Sequence, residues 1–252
     1  MLDYDKEAGA YDATRGGEAR AEAAADAVLG LIPSRPDRPG RLLDLACGTG
    51  IVTRRLAAAR PALQVTGADR AHGMARLAAA RLPGSVLLAD SCQLPFPDAT
   101  FDAVTTVWLL HLIADTAEVR AIVAECARVL RPGGVYVTTV DKAAAHDVGS
   151  DIDAVLASRP RRPAPDEAAV VAAHASDSGL SPAGQAAFLG HGQGRTPRST
   201  IADLRRGCFT VLRPGDPRVE RFADQLAALP DQDRHRPDPR FRVRAFRKPA
   251  DG

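Results

Sequence analysis

Leu42-Leu43-Asp44-Leu45-Ala46-Cys47-Gly48-Thr49-Gly50 is the stretch that decides how this chain folds. A short apolar run enters a turn at two glycines, and a helical pattern follows at 51–60. A buried parallel strand running into a strand-to-helix turn has that form. Gly48 and Gly50 lack a β-carbon, so the backbone there can lie directly against a ligand. Any tight α/β turn shares these features, but two residues narrow the choice. Thr53 stands where a dinucleotide fingerprint wants its third small residue, and the lysine of a phosphate-binding loop is absent. Asp44, inside the strand end, repels a pyrophosphate and suits a ligand with an ammonium or sulfonium charge.

Outward from that turn, strands and helices alternate. Val65–Ala68, Val86–Ala89, Phe101–Val107 and Val135–Val140 read as strands, and 73–82 as a helix. Val119, Ile122, Val123, Cys126 and Leu130 fall on one helical face, and Pro132-Gly133-Gly134 stops that helix. Upstream, the Ala-rich stretch 18–32 is predicted helical and is broken by Pro33, Pro36, Pro39 and Gly40. This rhythm predicts a parallel sheet with helices on both faces and a ligand site beyond the carboxyl ends of the strands. The C-terminal part differs. Residues 143–165 read as a polar crossing loop, 166–178 as a helix and 184–190 as a strand. Residues 192–238 hold two short helices in a stretch too long for a simple connection, which suggests a substrate cap. Phe241 to Arg247 alternates like an edge strand.

Composition excludes several classes. The formal net charge of +2 argues against an obligate polyanion partner. No apolar run approaches the roughly 18 residues that cross a membrane. The polar start MLDYDKEAGAYD lacks an apolar signal core. Cys47, Cys92, Cys126 and Cys208 form neither a disulfide framework nor a zinc pattern, so no metal is expected and a reducing cytoplasm is the plain reading. With aromatics at 4%, the core is expected to be built from Ala, Val and Leu.

Asp44-Leu-Ala-Cys-Gly-Thr-Gly50 resembles motif I of class I S-adenosylmethionine-dependent methyltransferases, of the broad type that includes ubiquinone-biosynthesis and natural-product enzymes. The similarity runs in register over roughly 4–140. Val65-Thr-Gly-Ala-Asp69 resembles the second-strand end whose acid grips both ribose hydroxyls. Ala89-Asp90-Ser91, with Leu94-Pro-Phe-Pro-Asp98 and Phe101-Asp102, resembles the adenine-binding segment, and Arg128-Val-Leu-Arg-Pro-Gly-Gly134 the turn before the fifth strand. Tyr11-Asp12-Ala-Thr-Arg15 resembles a segment that folds over the methionine end of the cofactor, although Gly16-Gly17-Glu18 departs from the usual Pro-Gly-Tyr after it.

The resemblance implies a Rossmann-like α/β fold with seven strands in the order 3-2-1-4-5-7-6, the last antiparallel, and a C-terminal helical cap. It implies one domain: an N-terminal helical segment (1–40), a cofactor core (41–142), the cap and C-terminal elements (143–240) and the final strand (241–247). The implied cofactor is S-adenosylmethionine. Its implied ligands are Tyr11, Arg15, Asp44, Ala46, Gly48, Gly50, Asp69, Arg70, Asp90, Ser91 and Val107.

The acceptor is expected beside Trp108, His111 and His146 and is expected to be a small molecule, with neither nucleic acid nor membrane as partner. His111 is the candidate general base, against its reading as pocket wall or core histidine. Cys47 reads as a small buried thiol and Cys92 as a neighbour of the cofactor. Asp98 and Asp102 read as turn residues around Pro95–Pro97. Two alternatives stay open: a protein that binds S-adenosylmethionine without methyl transfer, and an RNA methyltransferase, which the charge balance disfavours. A nicotinamide-dependent reductase is disfavoured by Thr53 and Asp44. The motifs do not read the acceptor atom, whether O, N or C.

Overall fold

Leu42, Leu43 and Leu45 are fully buried because their strand, β1 (Gly40–Leu45), lies inside a seven-stranded sheet. A computed structural model describes residues 12, 16–34, 39–208 and 212–250. On one flank of β1 run β2 (Leu63–Asp69) and then β3 (Val86–Leu88); on the other run β4 (Phe101–Thr106) and then β5 (Leu130–Val140), all parallel. The last strand, β7 (Arg240–Arg247), is antiparallel to both β5 and β6 (Ser181–Leu189). The order is β3-β2-β1-β4-β5-β7-β6, as the resemblance implies. Strand order reverses between β1 and β4, and a parallel sheet opens its ligand crevice at that switch point.

Two apolar cores cover the faces. One holds α1 (Gly17–Leu31) and α2 (Ile51–Ala59), with Ala21, Ala24, Ala25 and Val28 as the small-residue face of α1. The other holds α4 (Thr116–Val129), where Val119, Ile122, Val123 and Cys126 are buried on one face as their spacing predicts. The Asp115 carboxylate accepts the Ala117 N–H and so starts that helix. Between these elements, α3 (His72–Arg81) follows β2, and α7 (Ala168–Asp177) precedes β6. Aromatic residues contribute more than their number suggests: Phe101, Tyr136, Phe222, Phe241 and Phe246 are all fully buried.

Three readings change. Pro132-Gly133-Gly134 does not stop the helix but lies inside the next strand. The helix ends at Val129 and the strand begins at once, with a register shift against β4 absorbed there. Gly133 N–H turns outward to the Lys248 and Pro249 carbonyls. Phe241–Arg247 is not an edge strand, since β5 and β6 flank it and the edges are β3 and β6.

The third change is in 143–165, which is not all loop. It carries part of α5 (Lys142–Ala145) and the whole of α6 (Asp151–Leu156). Ser150 and Asp153 form a reciprocal capping box at the start of α6. Ile152 and Leu156 then bury against α8 (Pro197–Arg205) and α9 (Pro217–Ala227) through Leu204, Val219, Phe222 and Leu226. Arg236, itself buried, ties this lobe with a bidentate pair to Asp151 at 2.6 and 2.8 Å.

Candidate active site

At the end of β1 the chain reverses through left-handed residues: Ala46 at φ 57°, Gly48 at φ 57° and Gly50 at φ 76°. The two glycines serve different ends. A β-carbon at Gly50 would lie 2.9 Å from Ala78, so glycine lets α2 close on α3. A β-carbon at Gly48 would meet nothing within 4 Å, so that side of the turn faces open space. Gly48 N–H donates to Asp69 Oδ2 at 2.8 Å, and Ala71 N–H donates to Oδ1 at 2.8 Å. Burial raises the Asp69 carboxyl, while the N–H groups of Ala71, Gly48 and Arg70 pull it down. Each oxygen of such a carboxylate keeps a second lone-pair direction.

Asp44 is buried, and its Oδ2 accepts the Thr53 hydroxyl at 2.6 Å. Burial pushes this carboxyl up to about 7, the Thr53 hydroxyl opposes the rise, and the nearby Asp69 charge adds to it. Thr53, first noticed as a break in the dinucleotide pattern, is therefore the residue that holds the acid. Beyond β3, Asp90 is exposed and its Oδ1 accepts Cys92 N–H at 2.8 Å, which shapes the turn that buries Ser91. Arg70 is exposed at the end of β2, and Val107 is buried in the core that includes α1. Cys47 is buried and Cys92 half-buried. Tyr11 and Arg15 lie outside the described residues.

The sequence reading misses one feature of this turn. Asp12 accepts the Thr49 hydroxyl at 2.6 Å and pairs with Arg81 at 2.7 Å, while Arg81 donates to the Thr49 carbonyl at 2.8 Å. Three distant positions thus close a triangle behind the glycines. Asp12 sits within the quoted Tyr-Asp-x-x-Arg segment, but neither Thr49 nor Arg81 carries a motif that announces the contact.

On the acceptor side, Trp108 follows β4 at φ 59°, held by its N–H to the Thr139 hydroxyl at 2.8 Å. The Arg20 guanidinium lies 4.1 Å over the indole. Phe188 and Phe241 meet the indole edge-on at 5.5 and 5.8 Å, and His146 meets Phe241 at 5.6 Å. His111, in a single 3-10 turn (Leu110–Leu112), has its Nε2 2.9 Å from Lys142 Nζ.

Lys142 emerges from Asp141 at φ 54°, also left-handed. Asp141 is pinned from several sides: its N–H donates to the Asp166 carbonyl at 2.8 Å, Oδ1 accepts Ala168 N–H at 2.9 Å, and Oδ2 pairs with Arg242 at 3.0 Å. Lys142 N–H donates to the buried Asp166 carboxylate at 2.8 Å. Asp98 lies in the turn after Pro95–Pro97 as read, whereas Asp102 is not a turn residue but lies inside β4. Asp98 pairs with Arg128 at 2.8 Å, and buried Asp102 accepts from Arg41 N–H and Arg131 at 2.9 and 3.1 Å. A cavity of about 560 Å³ opens at that opposite, amino-terminal edge, between Ile32, Leu63, Asp102 and Arg247, away from every residue of the candidate site.

Comparison with known proteins bears on the glycine turn and the strands around it. Residues 43–138 match a family model described as a methyltransferase domain. A ubiquinone/menaquinone biosynthesis C-methyltransferase of Desulfotalea psychrophila is 40% identical over 98 residues, 38% of this chain and 39% of that protein. The 27-O-demethylrifamycin SV methyltransferase of Amycolatopsis mediterranei is 37% identical over 116 residues, 43% of this chain and 40% of that protein. The chain thus spans about two fifths of the length of these curated relatives, over the cofactor core. Among solved structures, the methyltransferase in complex with the Trm112 methyltransferase activator of Haloferax volcanii superposes with a TM-score of 0.61 at 19% identity, over 99% of both chains, and so shares the fold. Residues 43–138 are therefore similar to a methyltransferase domain, and they sit in a sheet whose strand order is the one the class I resemblance implies.

Proposed function

We propose that the protein transfers a methyl group from S-adenosylmethionine to a small organic acceptor. The observation that carries this reading is the pairing of Gly48 with Asp69: an open glycine face beside a buried carboxylate, one of whose oxygens takes the Gly48 N–H and the other the Ala71 N–H. That donor set fits a ribose diol, because two hydroxyl donors can approach the remaining lone pairs in charge-assisted bonds. Asp44, Ala46, Gly50, Arg70, Asp90, Ser91 and Val107 complete the cofactor side in this reading, with Tyr11 and Arg15 over the methionine end. Asp12 and Arg81 fix the turn from behind.

Bound there, S-adenosylmethionine supplies a methyl group on a sulfonium, which an attacking nucleophile takes in line. The chain's own work is positioning and exclusion of water. Trp108, braced by Phe188, Phe241 and Arg20, forms a rigid wall. His111 and His146 line the acceptor pocket, and the helical lobe of α6, α8 and α9 covers it. The small net charge and the activities of the two relatives favour a small molecule over RNA. The four free cysteines and the lack, among described residues, of a helix able to cross a membrane suit a cytoplasmic enzyme.

The test is turnover. The protein is incubated with methyl-labelled S-adenosylmethionine and a panel of phenols, quinols, amines and hydroxylated macrolides, and labelled product and S-adenosylhomocysteine are followed by mass spectrometry. The reading expects matched formation of both with at least one acceptor. Label appearing in added RNA, and in no small molecule, would contradict it.

A further inference from the structure

The contact between Lys142 and His111 has a chemical direction. An ammonium has three N–H donors and no acceptor, so at 2.9 Å the His111 Nε2 lone pair receives one of them, and the imidazole proton sits on Nδ1. A lone pair used in this way does not take a proton from an acceptor. His111 is thereby the holder of a cation.

The rest of the geometry serves the same cation. Asp141 is kept left-handed by Asp166, Ala168 and Arg242, and Lys142 N–H is tied to Asp166, so the lysine leaves β5 from a fixed backbone. β4 and β5 are neighbours, which places Lys142 at the same strand ends as Trp108. Only three of the chain's 33 basic residues are lysines, at 6, 142 and 248. Lys248 is a structural cap on the Ala127 and Leu130 carbonyls. Lys142 instead stands on the acceptor side with its charge directed by an imidazole. A compact ammonium concentrates its charge on one atom, where a guanidinium spreads it over a fork.

We propose that Lys142 receives the acceptor's nucleophilic group, and that this group is the oxyanion of a phenol or enol. The inference rests on the methyl-transfer reading. The acceptor enters as its anion, its proton already lost to water. The bond formed joins the methyl carbon to the acceptor's oxygen, which ends neutral, or to the carbon conjugated with it, which gives the neutral keto form whose proton passes from that carbon to the oxygen through water. The bond broken is the carbon–sulfur bond, and its electron pair stays on sulfur. No protein base takes part, and Lys142 supplies a hydrogen bond to the charged oxygen up to the moment of transfer.

The probe is 4-nitrophenol, whose ionisation is read by visible absorbance. It is titrated with wild-type protein saturated with S-adenosylhomocysteine. The expected result is binding as phenolate, with the ionisation midpoint about one pH unit or more below that of the free probe, a tenfold preference for the anion. Lys142→Met removes that shift. His111→Gln, whose amide oxygen still accepts from the ammonium, retains it. Calorimetric titration with S-adenosylhomocysteine shows that each variant is folded, and Lys142→Gln stands in should Lys142→Met fail that check. Binding as the neutral phenol, no binding, a shift that survives loss of the ammonium, or loss of the shift in His111→Gln would each overturn the proposal. Wild-type protein that does not bind S-adenosylhomocysteine would overturn the methyltransferase reading itself. The probe measured with that ligand bound speaks to Lys142 alone.

Discussion

The two edges of the sheet are held together in opposite ways. At the amino-terminal edge, charged side chains close off exposed backbone: Arg60 donates to the Leu29 and Ile32 carbonyls, Lys248 to Ala127 and Leu130, and Arg131 pairs with buried Asp102. At the carboxyl-terminal edge, the backbone itself is strained. Ala46, Trp108 and Asp141 end β1, β4 and β5 in the left-handed region, which costs a non-glycine residue of order 1 kcal/mol each. Trp108 and Asp141 are over-determined by neighbours, as the Thr139 bond to Trp108 and the triple anchoring of Asp141 show. On the proposed reading, one edge carries stability and the other carries the candidate site. Damage to the first is expected to lower stability and spare ligand binding, and damage to the second to do the reverse.

The largest effect is expected at the amino edge. Asp102→Ala removes a buried carboxylate from Arg41 N–H and Arg131, and should cost about 3 kcal/mol in chemical unfolding. Its affinity for S-adenosylmethionine should stay within about two-fold of wild type; a large loss of affinity with little loss of stability would break the division of labour.

Next comes the pH dependence set by Asp44. Its folded carboxyl titrates near 7, above the usual aspartate range, so between the two values the native state holds a proton that the unfolded state lacks. Stability from this group is therefore full at low pH and lost as pH rises toward 7, by up to about 1.4 kcal/mol per pH unit. Asp44→Asn should flatten that part of the profile and exceed wild type in stability above pH 7. Parallel wild-type and mutant profiles in urea would show that Asp44 ionises normally.

The smallest effect sharpens the strain argument. Ala46→Gly relieves a left-handed alanine, and should raise stability by about 0.5–1 kcal/mol with cofactor affinity unchanged. A fall in melting temperature would mean that the Ala46 methyl contributes more in packing than its backbone costs.

Much of the sheet could be read because each of its signals is local. Leu42 to Gly50 carries strand, turn and helix start in one stretch, and Val119 to Cys126 marks a helix face by spacing alone. Asp69 could be named because Val65-Thr-Gly-Ala-Asp69, the end of its strand, carries the resemblance in one local stretch. The Asp12–Thr49–Arg81 triangle could not be read, since it joins positions 37 and 32 residues apart with no shared pattern. The Lys142–His111 contact has no local signal either, since the two residues stand 31 positions apart on different strand ends. The helix at 151–156 stands in a Pro-rich, polar context, where Ile152 and Leu156 are the buried apolar residues and the third buried one, Asp153, is polar.

The measurement that bears most directly on the central claim is isothermal titration of the protein with S-adenosylmethionine and S-adenosylhomocysteine, with NADH as control, repeated on Asp69→Ala. The account expects micromolar binding of both sulfur ligands, none of NADH, and about ten-fold or greater weakening in the folded variant as the ribose bonds are lost. No binding of either sulfur ligand to wild type, or an unchanged dissociation constant in Asp69→Ala, would contradict the assignment of the Gly48–Asp69 cradle as the cofactor site.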